Sequence, residues 1–207
     1  KTPQYFNILK DLRRIFSRAR FIVLLRNPLS VFASSIYAFR GNRAKRLDGL
    51  NRNFFIGPKL IADFVNKNQN SIYILKYEDF IEEPQKCTRN ICNYLELDYE
   101  RKMLENSLEK EFKGLGDIFG AKLYKKIVNT NDKWRKIINT QYRKKRLLKY
   151  LNYFPDSYLN VGGYDKEELI KNVILHKPSS FNLREYLYAI EEKLVLIYKS
   201  PLKRTFD

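Results

Sequence analysis

Hydrophobic positions at the start of the chain change from a helical period to a continuous run and back again. Residues 5–18 carry apolar side chains at helical spacing, and the unbroken apolar run Phe21–Leu25 follows directly. Such a run is typical of a strand buried on both faces, as in a parallel sheet. Helical spacing then resumes at Pro28, which suits the first turn of a helix capped by Asn27. The pattern predicts helix, strand and helix.

The same alternation continues through the middle of the chain. The pattern predicts a helix over 54–66, a second strand over 71–80 and a further helix that opens at Pro84. Helices that alternate with buried strands indicate an α/β fold with a parallel sheet. Ligands of such sheets bind beyond the carboxyl ends of the strands.

The last third of the chain is predicted to be mostly helical. Residues 40–53 and 112–133 are basic and contain glycine, which predicts loops, and helical spacing returns over 133–154. The segment 161–165, "VGGYD", predicts a turn. A closing amphipathic helix is predicted from its apolar positions, which are Leu183, Tyr186, Leu187, Ile190, Leu194 and Ile197.

Length and charge narrow the possible partners. The 207 residues suit one domain with a hydrophobic core, and no apolar stretch is long enough to predict a membrane span. The net charge of +17 favours an anionic partner: nucleic acid, an acidic membrane surface, a polyanionic glycan or a phosphorylated cofactor. A merely solvated basic surface is the alternative. The basic run Arg143–Arg146 is interpreted as a solvated helix face or, alternatively, a docking surface for acidic groups.

Cysteine and histidine are too sparse for several classes of site. Cys87 and Cys92 lie five residues apart in a predicted helix and point away from each other, so no mutual disulfide is expected. With His176 as the single histidine, a histidine-rich metal site and a Ser/His/Asp triad are not expected. The sparse cysteines favour a reducing cytoplasm.

Arg26 stands where the first predicted strand ends and the next helix begins. Backbone N–H groups and the helix dipole favour an anion at that place, and a guanidinium adds a forked permanent charge suited to phosphate. The residues alone leave two readings open, an anion-binding arginine or one that pairs with a neighbouring carboxylate.

Four sequence blocks follow one another along the chain. They are "KTP" at 1–3, "RNPLSVFAS" at 26–34, "YEDFIEEPQKCTRNICNYLEL" at 77–97, and "GLGDIFGAKLYKKIVNTNDKW" at 114–134 followed by "VGGYD". In this order they resemble the PAPS-dependent sulfotransferases, and the last block is most similar to tyrosylprotein sulfotransferases of the Golgi-type and bacterial branch. These enzymes move a sulfuryl group from 3′-phosphoadenosine 5′-phosphosulfate (PAPS) to a hydroxyl or amine.

The resemblance implies roles for five residues. Arg26 and Ser34 correspond to the arginine and serine that hold the 3′-phosphate, and Tyr77 and Lys133 stand where relatives contact the nucleotide. Lys1 corresponds to the catalytic lysine that neutralises charge on the transferring group. PAPS is the implied co-substrate, with no metal. The implied acceptor is an anionic or hydroxylated glycan, peptide or small molecule, and no specific nucleic acid is expected.

The chain departs from the family pattern at its N-terminus. Pro3 replaces the histidine that serves as general base in some relatives, and the Gly-, Ser- and Thr-rich loop for the 5′-phosphosulfate is missing before Lys1. The expected fold is therefore an N-terminally incomplete three-layer, P-loop-NTPase-like parallel sheet flanked by helices, with the general base upstream of Lys1. Residues 1–165 are expected to form this partial domain, inactive alone, and 166–207 a helical extension packed on it.

Two other functions remain open at this point. A basic nucleic-acid-binding protein would use the charge of the chain, and a P-loop kinase-like domain would share the nucleotide-binding sheet. The expected location is a bacterial cytoplasm, or the Golgi lumen if the chain is eukaryotic.

Overall fold

A computed structural model describes the backbone of residues 3–38, 52–104 and 131–199, and side chains over 5–36, 53–104 and 131–191. Short 3₁₀ or π segments occupy Pro3–Asn7, Arg52–Ile56, Gln69–Ser71 and Arg101–Met103. The principal elements in chain order are α1 (Leu9–Ile15), β1 (Phe21–Leu25), α2 (Pro28–Ala38), α3 (Gly57–Lys67), β2 (Ile72–Lys76), α4 (Tyr77–Glu82), α5 (Pro84–Leu95), α6 (Lys133–Ile137), α7 (Gln141–Tyr153), α8 (Asp156–Gly162), α9 (Lys166–Leu175) and α10 (Leu183–Lys199).

The two strands pair in parallel. Phe21 of β1 lies opposite Ile72 of β2, and the register runs without a break to Leu25 opposite Lys76. Both carboxyl ends therefore lie at the same edge of the sheet. This confirms the α/β class with a parallel sheet, whereas the three-layer P-loop-like arrangement and the division at residue 165 stay predictions.

The second strand is shorter than predicted. It ends at Lys76, and residues 77–80, which the pattern assigned to the strand, begin α4 instead. Glu78 and Asp79 lie in the first turn of α4, where carboxylates favour the positive end of the helix dipole. The prediction of a strand over 71–80 was therefore wrong at its carboxyl end.

The prediction that β1 is buried on both faces was also wrong. Alternate residues of the strand point to opposite faces, and Leu25 is buried in the core on one of them. On the other face Ile22 and Leu24 are 41% and 50% exposed. Helix α5 packs against β2, where the ring of Tyr94 lies 5.5 Å from that of Tyr73.

Helix α2 begins as its sequence predicts. The Asn27 side-chain oxygen accepts a hydrogen bond from the Leu29 N–H at 2.9 Å, which caps the first turn, and Pro28 is buried. The predicted apolar stripe of α2 is confirmed as its core-facing side. It consists of Leu29, Phe32, Ala33 and Ile36, all buried.

The helical run predicted over 133–154 is broken in the structure. Helix α6 ends at Ile137, and α7 starts after Thr140, whose hydroxyl accepts the N–H of Arg143 at 3.2 Å. The apolar side of α7 enters the same core as α2, with Leu147 and Leu151 fully buried. Helices α8 and α9 complete this core.

The basic run Arg143–Arg146 is more than a solvated face. Arg143 pairs with Glu185 of α10, with its Nε 2.7 Å from the carboxylate. The Lys144 ammonium donates to the carbonyls of Ile174 and His176, where a cation complements the C-terminal end of α9. Half of the run therefore holds helices together.

Two further sequence expectations concern α5 and the membrane. Cys87 and Cys92 both lie in a helix, α5, as predicted, and the structure shows that both are free and buried. Within the described residues, no helix combines the length and apolar character that crossing a bilayer requires.

Candidate functional site

Arg26 and Tyr77 meet at the carboxyl edge of the sheet. Each follows the last residue of its strand, and the parallel register places those last residues, Leu25 and Lys76, side by side. The guanidinium carbon of Arg26 lies 4.2 Å from the centroid of the Tyr77 ring. Stacking on an aromatic face orients a guanidinium while leaving its charge intact. The sequence singled out both residues, and the structure brings them together.

A second cation stands at the same edge. The ammonium of Lys76, the last residue of β2, lies 5.0 Å from the ring centroid of Tyr164. The sequence-based prediction missed Lys76 as a site residue. Its signal was available, since Lys76 directly precedes Tyr77 at the end of a strand, and Tyr164 belongs to the "VGGYD" block.

Glu78 connects the two halves of this edge. One of its carboxylate oxygens accepts the Asn27 N–H at 2.9 Å, and the other accepts the Tyr164 hydroxyl at 2.8 Å. The carboxylate thus fixes the turn between β1 and α2 to the chain that follows α8. Both oxygens are engaged by these donors, which reduces the repulsion that a lone carboxylate would exert on an anion here.

Tyr158 of α8 holds the backbone of Arg26 directly. Its hydroxyl accepts the Arg26 N–H at 3.0 Å and donates to the Arg26 carbonyl at 3.2 Å. Its ring stacks on that of Tyr164, with the two planes 8° apart. Two tyrosines from the C-terminal half of the chain therefore position the turn that carries Arg26.

Two glycines explain how the chain delivers Tyr164. Gly163 ends α8 with φ of 62°, a left-handed conformation that favours glycine. A Cβ at Gly162 would overlap the Tyr164 ring. The predicted turn at 161–165 is therefore the last turn of α8 and its cap, and its glycines let Tyr164 fold back toward Glu78.

Two of the other predicted site residues lie on helices α2 and α6. Ser34 is exposed on α2, and Lys133 begins α6, which packs against α2. The Ser30 hydroxyl donates to the Asn131 carbonyl at 3.5 Å, which ties the approach to Lys133 to the first turn of α2. Trp134 is buried in the core. Lys1 lies outside the described residues, and the roles of all five predicted site residues remain predictions.

The free energy of unfolding is expected to fall at alkaline pH because of the tyrosines in this cluster. Burial raises the pKa of Tyr158 to about 12, and burial beside Glu78 raises the pKa of Tyr164 well above its ordinary value. The pKa of a tyrosine in an unfolded chain is about 10. Below that pH the tyrosines are protonated in both the folded and the unfolded chain. As the pH rises from about 10 to about 12, the unfolded chain loses these protons first, so the free energy of unfolding falls.

Urea unfolding measured between pH 8 and 11.5 is the check on this expectation. Tyr158→Phe is expected to lose less stability over that range than the wild type, since one titrating group is gone. Tyr153→Phe, at an exposed position, should keep the wild-type slope. Equal slopes in all three proteins would contradict the assignment.

Comparisons with known proteins point to one family. The sequence model described as "Sulfotransferase family" matches residues 1–101. That segment contains Arg26, Ser34 and Tyr77, and ends before Lys133. None of the curated proteins compared with the chain gives a sequence match.

A solved structure shares the fold. The chain is similar to the "Sulfotransferase Domain from the Curacin Biosynthetic Pathway", with a TM-score of 0.50 and 21% identity over 75% of this chain. The matched region covers 62% of that domain, so the chain spans less than two thirds of its length. At this identity the likeness concerns the fold.

Proposed function

We propose that the chain is a sulfotransferase-family protein, which the family model over residues 1–101 supports, and that it binds PAPS by its 3′-phosphate. The reaction served would be transfer of the sulfuryl group to a hydroxyl or amine of a glycan, peptide or small molecule. A bond forms between the sulfur and the acceptor oxygen or nitrogen, the bond between sulfur and the 5′-phosphate oxygen breaks, PAP leaves, and the proton of the acceptor passes to solvent. Among the described residues, we assign side chains to nucleotide binding and to no other step of this reaction.

The observation that carries the proposal is the stacking of Arg26 on Tyr77. The ring, 4.2 Å from the guanidinium carbon, holds the charge at the carboxyl edge of the sheet, where ligands of α/β folds bind. A guanidinium presents paired N–H donors that match two oxygens of a phosphate. An arginine fixed by an aromatic ring loses less conformational entropy on binding than a mobile one.

Helix α2 supplies the second element of the proposed phosphate site. It begins two residues after Arg26, so its dipole adds positive potential at the same edge. Ser34 lies six residues after Pro28, about 9 Å along the helix axis at 1.5 Å per residue. A phosphate bound between the Arg26 side chain and this face of α2 would meet the Ser34 hydroxyl.

Two lysines supply the remaining positive charge. Lys76 lies at the sheet edge over Tyr164, and Lys133 starts the helix that packs on α2. We assign Lys133 to the nucleotide phosphate from the side of α6 and Lys76 to long-range attraction of the anion. The net charge of +17 would speed association with a polyanionic nucleotide.

Thermal unfolding with PAP, AMP and ATP tests the proposal. PAP carries the 3′-phosphate and AMP lacks it, so PAP alone is expected to raise the Tm at equal concentration. At one hundred times its Kd, PAP adds about 2.7 kcal/mol to the free energy of unfolding, a rise of roughly 5–10 °C.

Ser34→Ala is expected to weaken PAP binding about five-fold, the effect of losing one hydrogen bond. Ser35→Ala is the matched control on the same helix, because the Ser35 hydroxyl already donates to the Val31 carbonyl at 3.0 Å.

Equal stabilisation by all three nucleotides would contradict the 3′-phosphate site and favour a kinase-like domain. No response to PAP, together with salt-dependent binding of random oligonucleotides, would favour a nucleic-acid-binding protein.

A further inference from the structure

The C-terminal helix α10 turns its apolar side away from the protein. Its exposed apolar side chains, which we name the C-terminal apolar face, are Leu183, Tyr186, Leu187 and Ile190. They are exposed to 62%, 53%, 54% and 39%. An amphipathic helix normally packs its apolar side on the core, so a contiguous exposed patch of this kind marks an interaction surface.

A buried ion pair sets this orientation. Glu185 is 3% exposed, accepts the Thr140 hydroxyl and pairs with Arg143 of α7 at 2.7 Å. At about 100° per residue, the four members of the C-terminal apolar face lie within roughly 100° of arc on the side opposite Glu185. Rotating that face onto the core would pull Glu185 out of its pairing and leave Arg143 without its carboxylate.

We propose that the C-terminal apolar face binds the same face of a second copy of this chain. Leu183, Leu187 and Ile190 follow one another at spacings of four and three residues, the repeat of a two-helix seam. The sequence continues this spacing at Leu194 and Ile197. A self-complementary apolar stripe on one helix suits a twofold contact, in which each copy presents the same residues.

The exposed area fits a dimer of moderate affinity. The four side chains expose roughly 400 Å² per copy, so a face-to-face contact removes about half of the area of a standard stable interface. Phe181 adds to it, since its ring is 74% exposed and lies 5.8 Å from that of Tyr186. Contacts smaller than the standard size are typical of weak, transient association, so the dimer is expected to form only at high protein concentration.

The charge of α10 favours a protein partner over a membrane. Its sequence contains three basic residues (Arg184, Lys193, Lys199) and three acidic ones (Glu185, Glu191, Glu192), so the helix is neutral. Helices that lie on anionic membranes instead concentrate lysine and arginine on their polar side. A neutral helix also lets two chains of +17 approach at this face more easily than elsewhere.

Sedimentation velocity of the full chain from 1 to 200 µM tests the proposal. The wild type is expected to shift from monomer to dimer, and more so as salt screens the repulsion between copies. Leu187→Glu should weaken dimerisation roughly ten-fold or more. Arg184→Gln is the matched control, because it changes the charge of the same helix turn by the same amount outside the face.

Each of three results would overturn the proposal. They are a wild type that stays monomeric at every concentration, a Leu187→Glu variant that dimerises as Arg184→Gln does, and a monomer that binds phosphatidylserine vesicles through Leu187. Circular dichroism and thermal unfolding of both variants check that they fold. If Leu187→Glu is unfolded, Tyr186→Lys takes its place, since that side chain is also exposed.

Discussion

Replacing Arg26 with alanine is expected to erase the difference between PAP and AMP as ligands. Charge-assisted hydrogen bonds to a phosphate contribute about 1.5–3 kcal/mol each, so loss of a two-pronged contact weakens PAP binding about 100-fold or more. AMP has no 3′-phosphate, and its affinity should change little. Isothermal titration calorimetry of both ligands gives the two affinities in the same protein.

Comparison within one variant separates recognition from stability. Arg26→Ala also removes the stacking on Tyr77, which lowers the free energy of unfolding by about 1 kcal/mol, but this loss applies equally with PAP and with AMP. Arg26→Lys keeps the positive charge but loses the paired N–H donors of the guanidinium, so this variant is expected to retain part of the preference for PAP.

Arg89 provides a matched control for the chemistry of this pair. Its guanidinium carbon lies 4.3 Å from the centroid of the Tyr99 ring, nearly the spacing of Arg26 over Tyr77, yet it belongs to α5. Arg89→Ala should therefore leave the preference for PAP intact. A preference for PAP that survives Arg26→Ala, or that Arg89→Ala removes equally, would assign the 3′-phosphate to other residues.

Local sequence signals predicted the start of this site well. The apolar run Phe21–Leu25 is β1 without an error at either end, and the Asn27–Pro28 pair begins α2 as predicted. Strand propensity, the missing N–H of proline and a capping amide act over two or three residues. Such signals can therefore be read without knowledge of the rest of the fold.

Long-range contacts limited the prediction of the rest. Tyr158 lies 132 residues from Arg26, and Tyr164 lies 86 residues from Glu78, yet their hydrogen bonds fix the turn between β1 and α2. No spacing in the sequence records such a pairing. The family resemblance marked Tyr164 through "VGGYD", whereas Tyr158 had no signal at all.

The sequence patterns of charged and apolar residues gave the wrong environment for two features that contact the buried carboxylate of Glu185. Arg143 belongs to a run of four basic residues and was interpreted as solvated, but its side chain is only 11% exposed beside Glu185. The same pairing turns the apolar stripe of α10 outward, although an amphipathic helix is expected to close the core. One buried carboxylate therefore accounts for both differences.

Glu185→Gln is expected to cause a large loss of stability, because it breaks a buried ion pair. Breaking a buried ion pair on one side costs about 3 kcal/mol, because the remaining charge keeps its desolvation penalty without its partner. For a chain of this size that corresponds to a drop in Tm of roughly 6–12 °C. Glu167→Gln, an exposed change of the same charge in the first turn of α9, should lose only about 0.5 kcal/mol, the contribution of a carboxylate to the helix dipole.

A double-mutant cycle identifies the source of this loss. Arg143→Met removes the partner, and with Glu185→Gln in the same chain no charge remains buried, so the double variant should lose less stability than the two single losses together. Arg143 also donates to the Ile137 carbonyl at 2.8 Å, which the cycle cancels because both of its Arg143 variants lose that bond. Losses that add fully would mean that Glu185 and Arg143 contribute independently, and that the orientation of α10 has another cause.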